Sequence, residues 1–288
     1  MDQAQTLRRM AAKKKTASIS GPPLRTLAVT SGKGGVGKTN LVVNLALELS
    51  RMGRKVLIID ADLGLANVDV VLGLNPKYTL ADVIHGGKEL SEVVLEGPGG
   101  IQILPGASGV SELAALSGDE KLMILQELDG FETRADTVII DTAAGISDMV
   151  LYFNIAAQER IVVATDEPTS LTDAYAMIKV LMTRHQERRF KLVVNNVREA
   201  AQAKNVYRKL GAAVDHFLGG VSLDYLGFIP SDPAVNQSVM QQKPLVQAFP
   251  NSPAARAIKG LAKTLLAQPV DVAGGNIKFF WRRLVDMA

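Results

Sequence analysis

Residues 31–40, SGKGGVGKTN, set four glycines and two lysines between an aliphatic run, LRTLAVT (24–30), and a helix-length stretch, NLVVNLALELSRMG (40–53). Gly32, Gly37, Lys38 and Thr39 satisfy G-x-x-x-x-G-K-[ST] in the strand–loop–helix context that gives the pattern its meaning. Glycines allow successive backbone N–H groups to turn inward around anionic oxygens, and the following helix N-terminus adds a favourable dipole. In such a loop Lys38 is placed for the β and γ phosphates of a nucleotide and the Thr39 hydroxyl for a magnesium ion. Lys33, five positions before Lys38, has no obvious phosphate of its own chain to reach and needs another anion.

The rest of the chain repeats the same alternation. KVLIID, IQIL, TVIID, RIVVAT, KLVVNN and YLGFI are short apolar runs separated by helix-length segments. Near-continuous apolar strands alternating with helices predict a doubly wound, mostly parallel α/β sheet covered on both faces. Ligands of such sheets sit beyond the carboxyl ends of the strands. Asp60, Asp141, Thr165 and Asn195 all fall at those ends.

Composition narrows the chemistry. The 288 residues contain no cysteine, which excludes disulfides, thiolate metal sites, iron–sulfur clusters and cysteine nucleophiles. His85, His185 and His216 are scattered and form no ligand set. The formal charge is only +3, and the cations gather at the two ends: Arg8, Arg9, Lys13, Lys14 and Lys15, then Lys278, Arg282 and Arg283. That distribution points to anionic partners for the terminal segments. No apolar run reaches the length of about 18 residues that spans a bilayer, so a cytoplasmic protein is expected.

Three regions are expected: a terminal segment (1–23), an α/β body (24–268), and a linker with a last helix (269–288). Gly21, Pro22 and Pro23 close the first region. The last helix places Ile277, Phe280, Trp281, Leu284 and Val285 on one stripe, with Lys278, Arg282 and Arg283 mainly opposite. Such a stripe fits either the domain's own core or an anionic membrane surface. The Gly-Gly linker, the tryptophan and the three cations favour the membrane.

Lys33-Gly34-Gly35-Val36-Gly37-Lys38-Thr39 resembles the deviant Walker A motif of the MinD/ParA class of P-loop ATPases. DADLGLANVDVVLGL is similar to the switch I stretch of that class and VIIDTAAG to its Walker B and switch II. The resemblance implies a slow ATPase using ATP and Mg²⁺, in which Lys33 crosses a homodimer onto the opposite nucleotide. It further implies that Asp62 orients the attacking water and that Asp60 and Asp141, with Thr39, hold the metal. Gly34, Gly35, Val36 and Gly37 would line the phosphates, and Asn195 and Pro230 would meet adenine. Asn196 follows Asn195 where the class usually has arginine.

Within the class, DEPTSLTDAYAMIK (166–179) and ADLGLANVDVVLGL resemble the flagellar-number regulators FlhG and FleN. Asp2, Gln3, Ala4, Leu7 and Arg8 look like the element by which those proteins stimulate the FlhF GTPase. A helix so short folds only on a partner. The likeness implies contacts with flagellar C-ring proteins, restraint of a FleQ-type transcription activator in some bacteria, and peripheral association with the inner face of the membrane when ATP is bound. A division-site or DNA-partitioning ATPase of the same class, and a nucleotide-binding scaffold that does not hydrolyse, remain the alternatives.

Overall fold

The computed structural model describes residues 24–62, 67–84, 87–106 and 135–270. Eight strands form one sheet: β1 (Arg25–Ser31), β2 (Val56–Ala61), β3 (Leu95–Glu96), β4 (Gln102–Leu104), β5 (Thr137–Ala144), β6 (Glu159–Ala164), β7 (Arg189–Val197) and β8 (Ser222–Pro230). Their order is β3-β4-β2-β5-β1-β6-β7-β8, and every neighbouring pair is parallel except β3 with β4. The helices among the described residues are α1 (Lys38–Arg51), α2 (Val68–Leu72), α3 (Leu80–Ile84), α4 (Leu90–Val93), α5 (Asp148–Ala156), α6 (Pro168–His185), α7 (Ala200–Phe217), α8 (Pro233–Met240), α9 (Leu245–Ala248) and α10 (Pro253–Ala267).

Each of the seven apolar runs becomes a strand. The expected doubly wound sheet is therefore present, with the two-residue β3 as an addition too short to leave a periodic signal. Helix α1 starts two residues before the stretch read from sequence, because Gly37 takes a left-handed conformation (φ 90°) and lets the loop enter the helix at Lys38. Gly53, at φ 87°, ends it.

Alternate residues of the central strands face opposite layers, as the pleat requires. Leu27, Val29, Ile58, Ile139, Ile161 and Val163 pack with α1 and α10 on one face. Ala28, Leu57, Ile59, Val138 and Ile140 meet α4 and α5 on the other, and Val162, Ala164, Leu192 and Val194 meet α6 and α7. Burial on both faces is why these runs read as continuous apolar stretches and not as an alternation.

At the amino end of β1 the packing includes charge. Arg25 is 1% exposed. Its Nε pairs with Glu159 at 2.7 Å, and its other nitrogens donate to the Leu265 and Gln268 carbonyls at the end of α10. Removing one member of a buried pair costs up to about 3–5 kcal/mol, and here Glu159 keeps a second cation, Lys191 at 3.3 Å, which tempers the loss. Arg25→Ala is expected to lower unfolding free energy in urea by up to that amount; a change within experimental error would mean the pair is replaced by solvent.

Candidate functional site

The phosphate loop stands at the carboxyl end of β1, where the strand order reverses between β5 and β6. Gly35 (φ 73°) and Gly37 (φ 90°) adopt conformations that favour glycine. Gly32 is required for a different reason: a Cβ there would lie 2.2 Å from the Asp173 carbonyl oxygen of α6. The loop is also tied to its surroundings. Gly145 N, just past β5, donates to the Ser31 carbonyl at 3.0 Å, and Asn195 Nδ2 donates to the Val36 carbonyl at 2.7 Å. Helix α1 carries no acidic residue in its first turn, so its N-terminus is open to an anion.

Lys38 is buried, with Nζ donating to Ser31 Oγ at 2.9 Å. Burial lowers its pKa, against the raising influence of Asp141 and then Asp62. Asp60 and Asp141 are register partners on adjacent strands, both about 1% exposed. Burial pushes the Asp141 carboxyl up to about 7; the charges of Asp60 and Asp62 add to the shift, while the Thr39 hydroxyl and Lys38 oppose it. Burial likewise raises Asp60 to about 6, although its Oδ1 accepts from Asp62 N at 3.2 Å and its Oδ2 from Asn67 N at 3.1 Å and Val68 N at 3.2 Å. Asp60 thus fastens the ends of the segment that follows β2.

Asp141 Oδ1 is buried without a hydrogen-bond partner. An orphaned carboxylate oxygen beside the Thr39 hydroxyl is the chemistry a hard divalent cation takes up, and a cation there would return both aspartates to their ionised forms. Among the described residues no group of three or more His, Asp or Glu could hold a metal by itself. Mg²⁺ is bound in general through one or two carboxylates together with phosphates and water.

Lys33, for which the sequence predicts an anion other than the phosphates of its own chain, meets one within the chain: Nζ pairs with Glu167 and donates to Thr169 Oγ1 at 3.1 Å. Both side chains lie at the start of α6, brought beside the loop because β6 neighbours β1. Sequence could not reveal that adjacency, since 134 residues separate the partners. The same holds for Asp173 against Gly32.

A cavity of about 520 Å³ opens on the β7–β8 side of the loop. Gly35, Asn195, Pro230, Val235, Leu245 and Ile258 are among its lining residues. Asn195 serves the loop through Val36, and its Oδ1 accepts from Asn196 N at 2.9 Å. One N–H and one oxygen lone pair of that amide remain for a ligand. Asn196 itself sits at φ 57°, a left-handed position that asparagine tolerates better than arginine. The carboxylates lie on the β2–β5 side, so the site spans β1 with a roomy pocket at one end and a cation-seeking pair at the other. Asp2, Gln3, Ala4, Leu7 and Arg8, His85, and Ile277, Phe280, Trp281, Leu284 and Val285 lie outside the described residues.

Residues 27–245 match the CobQ/CobB/MinD/ParA nucleotide binding domain. The chain belongs to that family. It is 47% identical over 265 residues to the antiactivator FleN of Pseudomonas aeruginosa, covering 92% of this chain and 94% of that one. It is 32% identical to the flagellum site-determining protein YlxH of Helicobacter pylori, covering 90% and 89%, and 30% identical to the septum site-determining protein MinD of Bacillus subtilis, covering 85% and 90%. Within the family it therefore falls in the FleN and YlxH branch. The solved Mg-ADP complex of MinD from Pyrococcus horikoshii superimposes with a TM-score of 0.66 at 26% identity, covering 84% of this chain and 96% of that one.

The raised carboxyls make ligand-free stability depend on pH. In the fold Asp60 and Asp141 hold protons that the unfolded chain, with carboxyls near 4, has already lost. Stability is therefore lost as pH rises from about 4 to 7. Asp141→Asn removes the larger cost, so nucleotide-free Asp141→Asn is expected to exceed wild type at pH 8 by about 2–4 kcal/mol, with the gap closing toward pH 4. Parallel stability curves across that range would refute the buried-carboxylate assignment.

Proposed function

We propose that the chain is an ATP-driven switch that closes as a homodimer and reopens on hydrolysis. The observation that carries this reading is the contrast between its two loop lysines. Lys38 is buried and fixed beside Asp141, in place to neutralise a nucleotide of its own chain. Lys33 is half-exposed and held by an exposed carboxylate, Glu167. An exposed ion pair is worth about 0–1 kcal/mol, so Lys33 is free to exchange Glu167 for a stronger anion, the triphosphate of a second copy. Cations delivered in trans in this way contribute about 10³–10⁵ in rate to phosphoryl transfer.

Each remaining residue has a definite task. Gly34, Gly35, Val36 and Gly37 offer backbone N–H groups to the phosphates, and Lys38 neutralises their charge. Thr39, Asp141 and Asp60 would hold Mg²⁺, Asp60 through the ion's water shell. When bound, the ion would neutralise charge between the outer phosphates. Asp62, whose charge bears on both Lys38 and Asp141, orients the attacking water. The adenine base occupies the cavity beside Asn195 and Pro230. Catalysis here is positioning and charge neutralisation, which is what phosphoryl transfer demands.

The output we propose is control of flagellum number and placement. The names of the two relatives, antiactivator and flagellum site-determining protein, support it. Asp2, Gln3, Ala4, Leu7 and Arg8 would engage the FlhF GTPase, other surfaces the flagellar C-ring proteins, and the antiactivator role a FleQ-type activator. Ile277, Phe280, Trp281, Leu284 and Val285 would dock an ATP-bound dimer on the membrane, two copies acting together where one is marginal. No helix among the described residues is long and apolar enough to cross a membrane.

Mass measurement in solution tests the switch. Asp62→Ala is expected to be a dimer with ATP and a monomer with ADP, and to lose the dimer when Lys33→Ala is added. A monomer in excess ATP would overturn the proposal. Lys38→Ala is expected to abolish nucleotide binding by calorimetry, and unchanged affinity would remove the loop from the site.

A further inference from the structure

Three hydrogen bonds meet at the last residue of β1. Ser31 is fully buried. Its Oγ accepts from Lys38 Nζ at 2.9 Å and donates to the Lys33 carbonyl at 2.6 Å, while its own carbonyl accepts from Gly145 N at 3.0 Å. One hydroxyl therefore joins the two loop lysines, and the same residue ties them to the backbone that follows β5.

Chemistry fixes the direction of these bonds. An ammonium only donates, a carbonyl only accepts, and a hydroxyl has one proton to give. Lys38 must then fill a lone pair of Ser31 Oγ, and the Ser31 proton is left for the Lys33 carbonyl. The charge on Lys38 polarises the hydroxyl and strengthens the second bond. The chain ends on the Lys33–Gly34 peptide, whose plane it orients: with the carbonyl turned to Ser31, the Gly34 N–H of a trans peptide points the opposite way. Helix α6 closes the same limb of the loop from its other side, since a Cβ on Gly32 would lie 2.2 Å from the Asp173 carbonyl oxygen. The backbone at the root of Lys33 is thus held twice, and the side chain leaves it toward Glu167 and Thr169.

We infer that Ser31 is the positioning residue through which a seated Lys38 holds Lys33 in line for the opposite nucleotide. This rests on the dimer reading proposed above. Lys38 carries three N–H donors, so the one given to Ser31 leaves two for phosphate oxygens. The hydroxyl therefore does not compete with a nucleotide. The Lys33 amine ends a flexible four-carbon stem, and its aim depends on where the backbone beneath it is fixed. A misplacement of about 1 Å at a reacting centre costs about 10²-fold in rate. A hydroxyl that merely braced the loop would act on nucleotide affinity and on turnover together, whereas one that aims Lys33 acts on turnover.

The test compares Ser31→Ala, Ser31→Thr, Lys33→Ala and the double variant Ser31→Ala, Lys33→Ala in the full chain with Mg²⁺ and ATP. By calorimetry Ser31→Ala is expected to bind ATP within about tenfold of wild type, the scale of one lost hydrogen bond. Its kcat should fall about 10²-fold, and Ser31→Thr, which keeps the hydroxyl, should recover most of that loss. In a chain already carrying Lys33→Ala, Ser31→Ala should alter the residual single-turnover rate by no more than about twofold, because residues acting as one unit are not additive. Wild-type turnover in Ser31→Ala overturns the inference. So does an ATP affinity as low as that of Lys38→Ala, which would make the hydroxyl a brace for the whole loop, and so does an equal loss of rate with and without Lys33. If Lys33→Ala hydrolyses ATP as wild type does, the dimer reading itself falls and this inference with it.

Discussion

A carboxylate buried beside a buried amine, with no partner for one of its oxygens, governs the arrangement around it. Asp141 and Lys38 face each other across the root of the phosphate loop, both removed from water, and each departs from its ordinary pKa because burial disfavours its charge. Polar groups in that condition cost free energy unless something completes their bonding. A metal ion with phosphate oxygens would complete it. The glycines of the loop, the Gly145 to Ser31 hydrogen bond and the Asp60 latch on Asn67 and Val68 all lie within this frame. Occupancy of the site would therefore bear on the backbone that follows β2 and β5, on one side of β1.

The second lysine obeys different physics. Lys33 and Glu167 meet where solvent screens them, so their pairing holds the lysine in a defined place without holding it strongly. On the proposed reading, the two lysines of one short loop serve two purposes: a buried one for the nucleotide of its own chain, an exposed one for transfer. Pro168 pre-sets the first turn of α6, which places Glu167 and Thr169 to receive Lys33. The loop and α6 are further fitted by the close approach of Gly32 to Asp173.

Much of this was legible in the residues because strands buried on both faces declare themselves as unbroken apolar runs, and polar residues at their carboxyl ends mark a ligand site. Asp60, Asp141, Thr165 and Asn195 were found that way. What sequence does not encode locally is the lateral order of strands. Glu167 became the partner of Lys33 only once β6 was placed beside β1. Asn195 belongs in part to the loop because β7 lies one strand further out, close enough for its amide to reach Val36. The knot of Arg25, Glu159 and the end of α10 was invisible for the same reason, although its members are ordinary charged residues. β3 was missed because two residues carry no period.

The central claim is that Lys33 leaves its own chain when the triphosphate of a second copy becomes available. A crystal structure of Asp62→Ala with Mg²⁺ and ATP tests it most directly. The expected result is a two-fold dimer with Lys33 Nζ about 3 Å from a phosphate oxygen of the opposite nucleotide and Glu167 released. Lys33 still paired with Glu167, in a dimer whose nucleotides are fully enclosed, would contradict it.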